Sequence, residues 1–279
     1  MQRLSLSWRQ ANQSVVLVPT MGFLHAGHAA LIAKGRRLAG NQGHLVVSIF
    51  VNPTQFSPSE DFNQYPRSEK ADLELCRSLG ADAVFMPRAE DIYPTGADKG
   101  FSTYVSEGDL SQAMEGRSRP SHFRGVTTIV NILFNLTQPS HAIFGEKDFQ
   151  QLAVVRKMVQ DLRIPTKIVM GKTVREHDGL ALSSRNAYLN GNQRRHATIL
   201  WSCIQTAKNR IRQASKPILA STLRRELTKM VAATPEAQLD YIEFFNPANL
   251  KPSPRVKPGD RIALAVRFGR TRLIDNSRI

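Results

Sequence analysis

Short β-branched runs alternate with amphipathic stretches through residues 1–172, and this alternation limits the fold more than any other feature of the chain. Val15 to Val18 is a strand-like run ending at Pro19, and Gly27 to Ala39 follows as a helix with Leu31, Ile32 and Leu38 as its apolar positions. His44 to Val51 is the next apolar run, Ser68 to Leu79 a helix closed by Gly80, and Ala83 to Met86 a strand ending at Pro87. Val126 to Leu136 reads as a helix, His141 to Phe144 as a buried strand, Asp148 to Leu162 as an amphipathic helix and Thr166 to Val169 as a fifth strand. Strands separated by helices need crossover connections, so the expectation is an α/β, doubly wound parallel sheet. Pro87 to Gly108 shows no periodicity and carries no assignment.

The rhythm changes after Gly171. Asn192 to Gln213 and Pro217 to Ala233 read as two polar helices with no strand between them. Leu239 to Phe244, Arg261 to Arg267 and Thr271 to Asn276 then read as strands, the last two joined by a tight turn at Gly269 and Arg270. The expected division is 1–172 and a smaller C-terminal α+β domain at 173–279.

Composition narrows the classes. The two cysteines, Cys76 and Cys203, lie far apart without a C-x-x-C, which argues against a disulfide framework or a structural zinc and for a reducing compartment. Met1 to Ser14 is too polar for a secretory signal, and no apolar run approaches the length of a membrane span. A cytoplasmic protein with no membrane partner is expected. The net charge is +15, and its distribution is uneven: residues 1–172 hold 19 basic and 15 acidic residues, net +4, while 173–279 hold 19 and 8, net +11. Such a field favours anionic ligands. No basic run is interleaved with stacking aromatics, so no nucleic acid partner is expected; a nucleic-acid binder using the basic tail is the rival from another class.

The segment after the first strand carries the chemistry: Pro19-Thr20-Met21-Gly22-Phe23-Leu24-His25-Ala26-Gly27-His28, running into a helix. Spacing of three puts both imidazoles on one face of the first turn, at the end of a helix that attracts phosphate. Gly27 lets a phosphate chain approach the backbone. The imidazoles could donate hydrogen bonds or protons to the charge that builds when an α-phosphorus is attacked, with His28 the first choice as proton donor. A metal pair or two surface histidines are the alternatives. A strand-to-helix turn at the end of the first strand favours the nucleotide reading.

This segment resembles the H-x-G-H signature of the nucleotidyltransferase superfamily and, in its longer P-T-M-G-x-L-H-x-G-H form, the pantothenate synthetase (pantoate–β-alanine ligase) family. Five further blocks agree in order and spacing: Val51 to Phe56, Tyr65-Pro66-Arg67, Glu115-Gly116 through His122 to Val126, Phe144 to Leu152, and Val174-Arg175-Glu176 through Asp178 to Asn186. The resemblance implies a Rossmann-like N-terminal domain that binds ATP and pantoate, a C-terminal lid, and a homodimer. It implies condensation of pantoate with β-alanine through a pantoyl adenylate, with release of pyrophosphate and AMP. It places ATP on Met21, Gly22, Phe23, Leu24, His25, Ala26, Gly27 and His28, on Gly145, Glu146, Lys147 and Asp148, and on Val174, Leu182, Ser183, Ser184 and Arg185. Leu182 stands where the family more often has Met, an apolar swap expected to be harmless.

Residue types agree with these roles. Lys147 is a compact cation suited to phosphate, beside an Asp148 that could cap the following helix. Ser183, Ser184 and Arg185 offer hydroxyls and a guanidinium for phosphate oxygens. With His25, His28 and Mg²⁺, Lys147 and Arg185 form the expected transition-state set. Gln55 and Gln151 can satisfy a small hydroxy acid; the resemblance makes both pantoate contacts and puts Gln55 near β-alanine as well. Glu115 and Arg119 belong to a Gly-, Ser- and Pro-containing loop that could order over the site, Arg119 matching a gate position. Arg117 and Arg124 read as helix-start or surface cations, and His177 has no assigned role. Asp72 is the candidate Mg²⁺ ligand, with Ala71 interrupting what is often an acidic pair; a helix-surface acid is the alternative.

Overall fold

The computed structural model describes residues 1–57, 60–97 and 100–279. The chain divides into two compact units, Met1–Lys172 and Thr173–Ile279. In the first, the β-branched runs become β1 (Val15–Thr20), β2 (His44–Ile49), β3 (Ala83–Phe85), β4 (His141–Gly145) and β5 (Lys167–Gly171). They form one parallel sheet in the order β3-β2-β1-β4-β5. The chain winds outward from β1 to β3, then crosses back to start β4 on the other side of β1. Between β1 and β4 lies the point where the winding reverses, which opens a crevice beyond their carboxyl ends.

The helices of this unit are α1 (Gln2–Gln10), α2 (Ala26–Ala39), α3 (Glu69–Ser78), α4 (Ala89–Ile92), α5 (Glu115–Ser118), α6 (His122–Thr137) and α7 (Phe149–Asp161). Val16, Val18, Leu45, Val47 and Ile143 meet Ile32 of α2 and Cys76 of α3 in one apolar cluster. A side chain buried as fully as Ile143 contributes about 2 kcal/mol. Leu17 points to the other face by strand alternation and is equally buried, so both faces of the sheet are covered.

Two elements depart from the sequence reading here. α1 falls in a stretch that carries no assignment in the sequence reading; Leu4 and Leu6 are exposed, and Trp8 stacks on His44 at 4.0 Å. α6 begins at His122, earlier than the apolar run Val126 to Leu136 suggests, because His122 and Phe123 are themselves buried. In the unassigned stretch after Pro87, α4 starts where the Asp91 carboxylate accepts from the Arg88 amide, and Tyr93 is buried; Asp98 and Lys99 of that stretch lie outside the described residues.

The second unit carries α8 (Gly191–His196), α9 (Ile199–Gln213), β6 (Ile218–Leu219), α10 (Ala220–Ala232), β7 (Ala237–Phe245), β8 (Arg255–Val256), β9 (Arg261–Phe268) and β10 (Thr271–Arg278). β10, β9 and β7 form an antiparallel sheet in that order, and Phe268 pairs with Thr271 across a two-residue turn at Gly269 and Arg270. Leu200 and Ile204 of α9, Leu223 and Leu227 of α10, and Phe244, Leu264 and Phe268 of the sheet share one core. The stretch read as one helix from Asn192 is two: Asn190 caps α8 through the Asn192 and Gln193 amides, and the Thr198 hydroxyl donates back to the Arg195 carbonyl where the chain breaks before α9. A strand does lie between α9 and α10, since β6 pairs with β8. Its partner comes more than thirty residues later, so no local signal marks it. Cys76 and Cys203 are buried free thiols, their pKa values pushed by burial up to about 11 and about 12. Among the described residues no helix is long and apolar enough to cross a membrane.

Candidate active site

The turn leaving β1 is built by its two histidines. His25 is the N-cap of α2, in extended conformation, and its Nδ1 accepts from the Gly27 amide at 3.1 Å. His28 acts in the reverse direction: its Nδ1 accepts from the His25 amide at 3.3 Å. The pair closes a reciprocal cap in which imidazoles take the place of the usual hydroxyl and carboxylate. Their rings lie 4.1 Å apart, tilted by 42°. With both Nδ1 atoms accepting, each neutral ring carries its proton on Nε2.

Neutrality follows from the surroundings. Burial first and Lys147 second pull His25 from its ordinary 6.5 down to about 4, against the opposing pull of Asp148. Burial, then His25, then Lys147 take His28 down to about 3. Lys147 therefore acts on both imidazoles, so the turn after β4 reaches the turn after β1. At neutral pH the unliganded His28 ring is neutral and holds its proton on Nε2, where it is a hydrogen-bond donor.

The turn after β4 also differs in detail from the sequence reading. Glu146–Asp148 is a 3-10 turn with Gly145 as its cap, and Asp148, though it precedes α7, makes no side-chain capping bond. Its carboxylate instead lies 3.7 Å from the Lys147 ammonium. Gln151 sits on the first turn of α7, partly exposed.

Gln55 ends a 3-10 turn, Pro53–Gln55, that follows β2. It is 8% exposed, and its Nε2 lies 3.6 Å from the Met21 sulfur, so it borders the turn after β1. Its backbone is clamped by α6. His122 donates from Nδ1 to the Gln55 carbonyl at 3.0 Å, and Arg119 donates to the same carbonyl at 3.4 Å and to His122 Nε2 at 3.3 Å. Arg119 is held in turn by both oxygens of Glu60, at 2.5 and 3.0 Å. Burial opposes the Glu60 charge, but the Arg119 hydrogen bonds prevail and hold its carboxyl below the ordinary range. Burial and then Arg119 take His122 down to about 4. Gly125 permits the close packing: a Cβ there would lie 2.4 Å from the Thr54 carbonyl oxygen. Asn52, 1% exposed, donates to the Gly125 carbonyl and accepts from Tyr93.

Glu115 and Arg119, the expected gate residues, lie at either end of the α5 turn. Glu115 and Gly116 are buried in α5, and Arg119 is fixed in the clamp just described. Gln150 anchors the segment: its amide donates to the Leu110 and Ala113 carbonyls at 2.8 and 2.7 Å and accepts from the Glu115 amide at 3.0 Å. Asn52 and Gln150 carry no assigned role in the sequence reading, and His122 only a place in the loop that could order over the site, because a buried amide or imidazole looks in sequence like a solvated one.

In the second unit, residues 174–182 fold back as a tight hairpin, with the Leu182 amide on the Val174 carbonyl and Arg175 bridged to Ala181. Arg175 pairs with the buried Asp275 at 2.6 and 2.9 Å and lies over the Trp201 ring at 4.0 Å. Arg194 braces the same hairpin through Glu176 and Asp178 at 2.7 and 2.8 Å. The Ser183 hydroxyl accepts from the Arg185 amide, capping the turn Ser184–Tyr188. The hairpin thus presents Ser183 and Arg185 from a rigid base.

Among the described residues no group of three His, Cys, Asp or Glu side chains is placed to hold a metal. Asp72, the sequence candidate, is 3% exposed, and its oxygens accept from the Phe23 and Leu24 amides at 2.8 and 2.7 Å. It is neither an open ligand nor a surface acid.

Comparison with known proteins identifies the family. The family model for pantoate-beta-alanine ligase matches residues 1–278. The pantothenate synthetase of Geotalea uraniireducens (strain Rf4) is 46% identical over 276 residues, covering 99% of this chain and 95% of the relative. The crystal structure of pantothenate synthetase from Thermus thermophilus superposes with a TM-score of 0.89 at 42% identity, over 98% of this chain and 97% of that one. The pantoate-beta-alanine ligase of Francisella tularensis, complexed with beta-gamma ATP and β-alanine, matches with a TM-score of 0.77 at 33% identity, over 99% and 95%. A histidine-capped turn at the switch point, a lysine acting on it from the neighbouring strand and a match along the whole chain make this protein a member of the pantoate–β-alanine ligase family.

Proposed function

We propose that this chain joins pantoate to β-alanine with the consumption of ATP. In the first step a pantoate carboxylate oxygen attacks the α-phosphorus; the bond to the bridging oxygen breaks, and pyrophosphate leaves. In the second, the β-alanine amine attacks the carbonyl of the pantoyl adenylate, and AMP leaves as the amide forms. The observation that carries this reading is the pair of neutral imidazoles, each with Nδ1 tied to backbone, under the field of Lys147. Such rings offer Nε2–H donors to the phosphate charge that grows in the transition state, while Lys147 supplies a full positive charge. No covalent enzyme intermediate is required.

Gln55 and Gln151 are the proposed pantoate contacts, with Gln55 also near β-alanine. His25, His28 and the rest of 21–28 and 145–148 are proposed for ATP in the first unit. Val174, Leu182, Ser183, Ser184 and Arg185 are proposed for ATP in the second, which acts as a lid; the family motif supports this. Mg²⁺ enters the proposal only as the ion ATP brings with it. A homodimer in the cytoplasm is proposed on the family resemblance. The nucleic-acid rival has its own discriminator, tight salt-dependent binding to random duplex without turnover.

The test is release of AMP and pyrophosphate from ATP with a panel of small acids and amines. AMP formation that requires both pantoate and β-alanine is the expected result. Turnover with another acid, or none with any, would remove the proposal.

A further inference from the structure

We infer that Asp72 is a positioning residue for the histidine turn, an internal anion around which the 22–24 backbone is folded. The inference rests on reading that turn as the ATP site. The turn needs such a partner. Gly22 and Phe23 both have positive φ, at 81° and 50°, which is ordinary for glycine and unfavourable for phenylalanine. This conformation turns two successive amides, those of Phe23 and Leu24, toward one point, a concavity that suits an anion. The anion is supplied from within: Asp72, on the first turn of α3, places one carboxylate oxygen on each amide. Packing leaves no slack around it. A Cβ on Gly22 would lie 3.1 Å from the Asp72 oxygen and 2.9 Å from Ile49 Cγ2.

The consequence for the site is direct. Leu24 immediately precedes His25, whose extended backbone sets the cap that fixes both imidazoles. Asp72 therefore acts through the backbone, holding the turn so that the Nε2–H groups keep their aim. A metal ligand would behave differently: to coordinate a cation, the carboxylate must release at least part of its hold on the amides.

The test compares wild type, Asp72→Asn and Asp72→Glu in the full chain, by amide hydrogen exchange and by ATP binding with and without EDTA. In Asp72→Asn an amide N–H₂ faces a backbone donor, so exchange at Phe23 and Leu24 should quicken by about 100-fold while Leu17 and Ala142 in the sheet keep their rates. ATP affinity in EDTA should fall by about tenfold, with the Mg²⁺ requirement of turnover unchanged. Asp72→Glu should fail in the same way, since its longer arm does not fit the packed turn. The inference is overturned if exchange and metal-free ATP binding stay at wild-type values while the Mg²⁺ requirement rises in Asp72→Asn and recovers in Asp72→Glu. If neither variant folds, Mg²⁺ titration of the nucleotide-free wild type decides: unchanged Phe23 and Leu24 amide resonances support the inference, and their displacement overturns it. Failure of wild type to bind ATP would remove the function proposed above, and the exchange rates would still decide the role of Asp72.

Discussion

His25 and His28 at the end of β1, and His122 at the start of α6, are all buried enough to be neutral, yet they are wired in opposite senses. In the first region each Nδ1 accepts a backbone amide, so the proton sits on Nε2 and points away from the turn. In the second, Nδ1 donates to the Gln55 carbonyl and Nε2 accepts from Arg119, so both ring nitrogens are occupied by the fold. One arrangement turns imidazole into a donor for a ligand; the other turns it into a strut beneath a binding residue. Position relative to backbone donors and acceptors decides which, since the side chain and its charge state are the same.

The largest effect that could break this contrast is expected at His28. His28→Ala should slow single-turnover adenylate formation by about 10³-fold, as loss of a transition-state hydrogen-bond donor does, with KM for pantoate little changed. Rapid-quench measurement at wild-type speed would show that the ring gives nothing to the reaction.

Acid is the next probe. A histidine whose folded pKa lies below its unfolded value binds more protons when unfolded, so its stabilising effect is complete above about pH 6.5 and is lost as pH falls toward the folded value. For His122, with folded pKa about 4, the loss between pH 7 and pH 5 should be about 2 kcal/mol. Urea unfolding at the two pH values, in wild type and in His122→Leu, measures it as a difference, because His25 and His28 are depressed in the same window. His122→Leu should make that dependence shallower by the His122 share while the share of His25 and His28 remains, and an equally steep curve in the variant would place the titration elsewhere.

His122→Leu should also lower kcat/KM for pantoate by about tenfold and leave KM for ATP unchanged, because it frees the Gln55 turn without touching the β1 turn. His122→Asn, which keeps a donor for the carbonyl, should recover part of the loss. Equal effects on both substrates would mean that the two regions are not separable. The smallest effect sharpens the comparison from the other side. Lys147→Met removes a cation that depresses His25 and His28, so both should titrate at higher pH while His122 does not move. Histidine ring resonances followed through a pH titration report this.

The range of each interaction explains what the sequence disclosed. The cap formed by His25 and His28 spans three residues, so motif and geometry coincide, and the strand alternation placed the turn at the end of a parallel strand. The clamp on Gln55 joins residues 64 and 67 positions apart, and the Asp72 contacts span 48 and 49. Nothing local distinguishes such an Asp from a solvated acid on a helix. Gln150 shows the same limit: beside Gln151 in one motif, it looks like a ligand contact or a surface amide, and only the fold reveals that loop carbonyls occupy it. In the Glu115 to Arg119 segment glycine, serine and proline suggest a loop, and the buried Glu115 and its bond to the Gln150 amide are legible only in the fold.

The most direct test of the account is the tautomer of each ring, read from imidazole nitrogen resonances of the unliganded protein at pH 7. His25 and His28 should be neutral with the proton on Nε2, and His122 neutral with the proton on Nδ1. An imidazolium at any of the three, or the same tautomer in both regions, would contradict it.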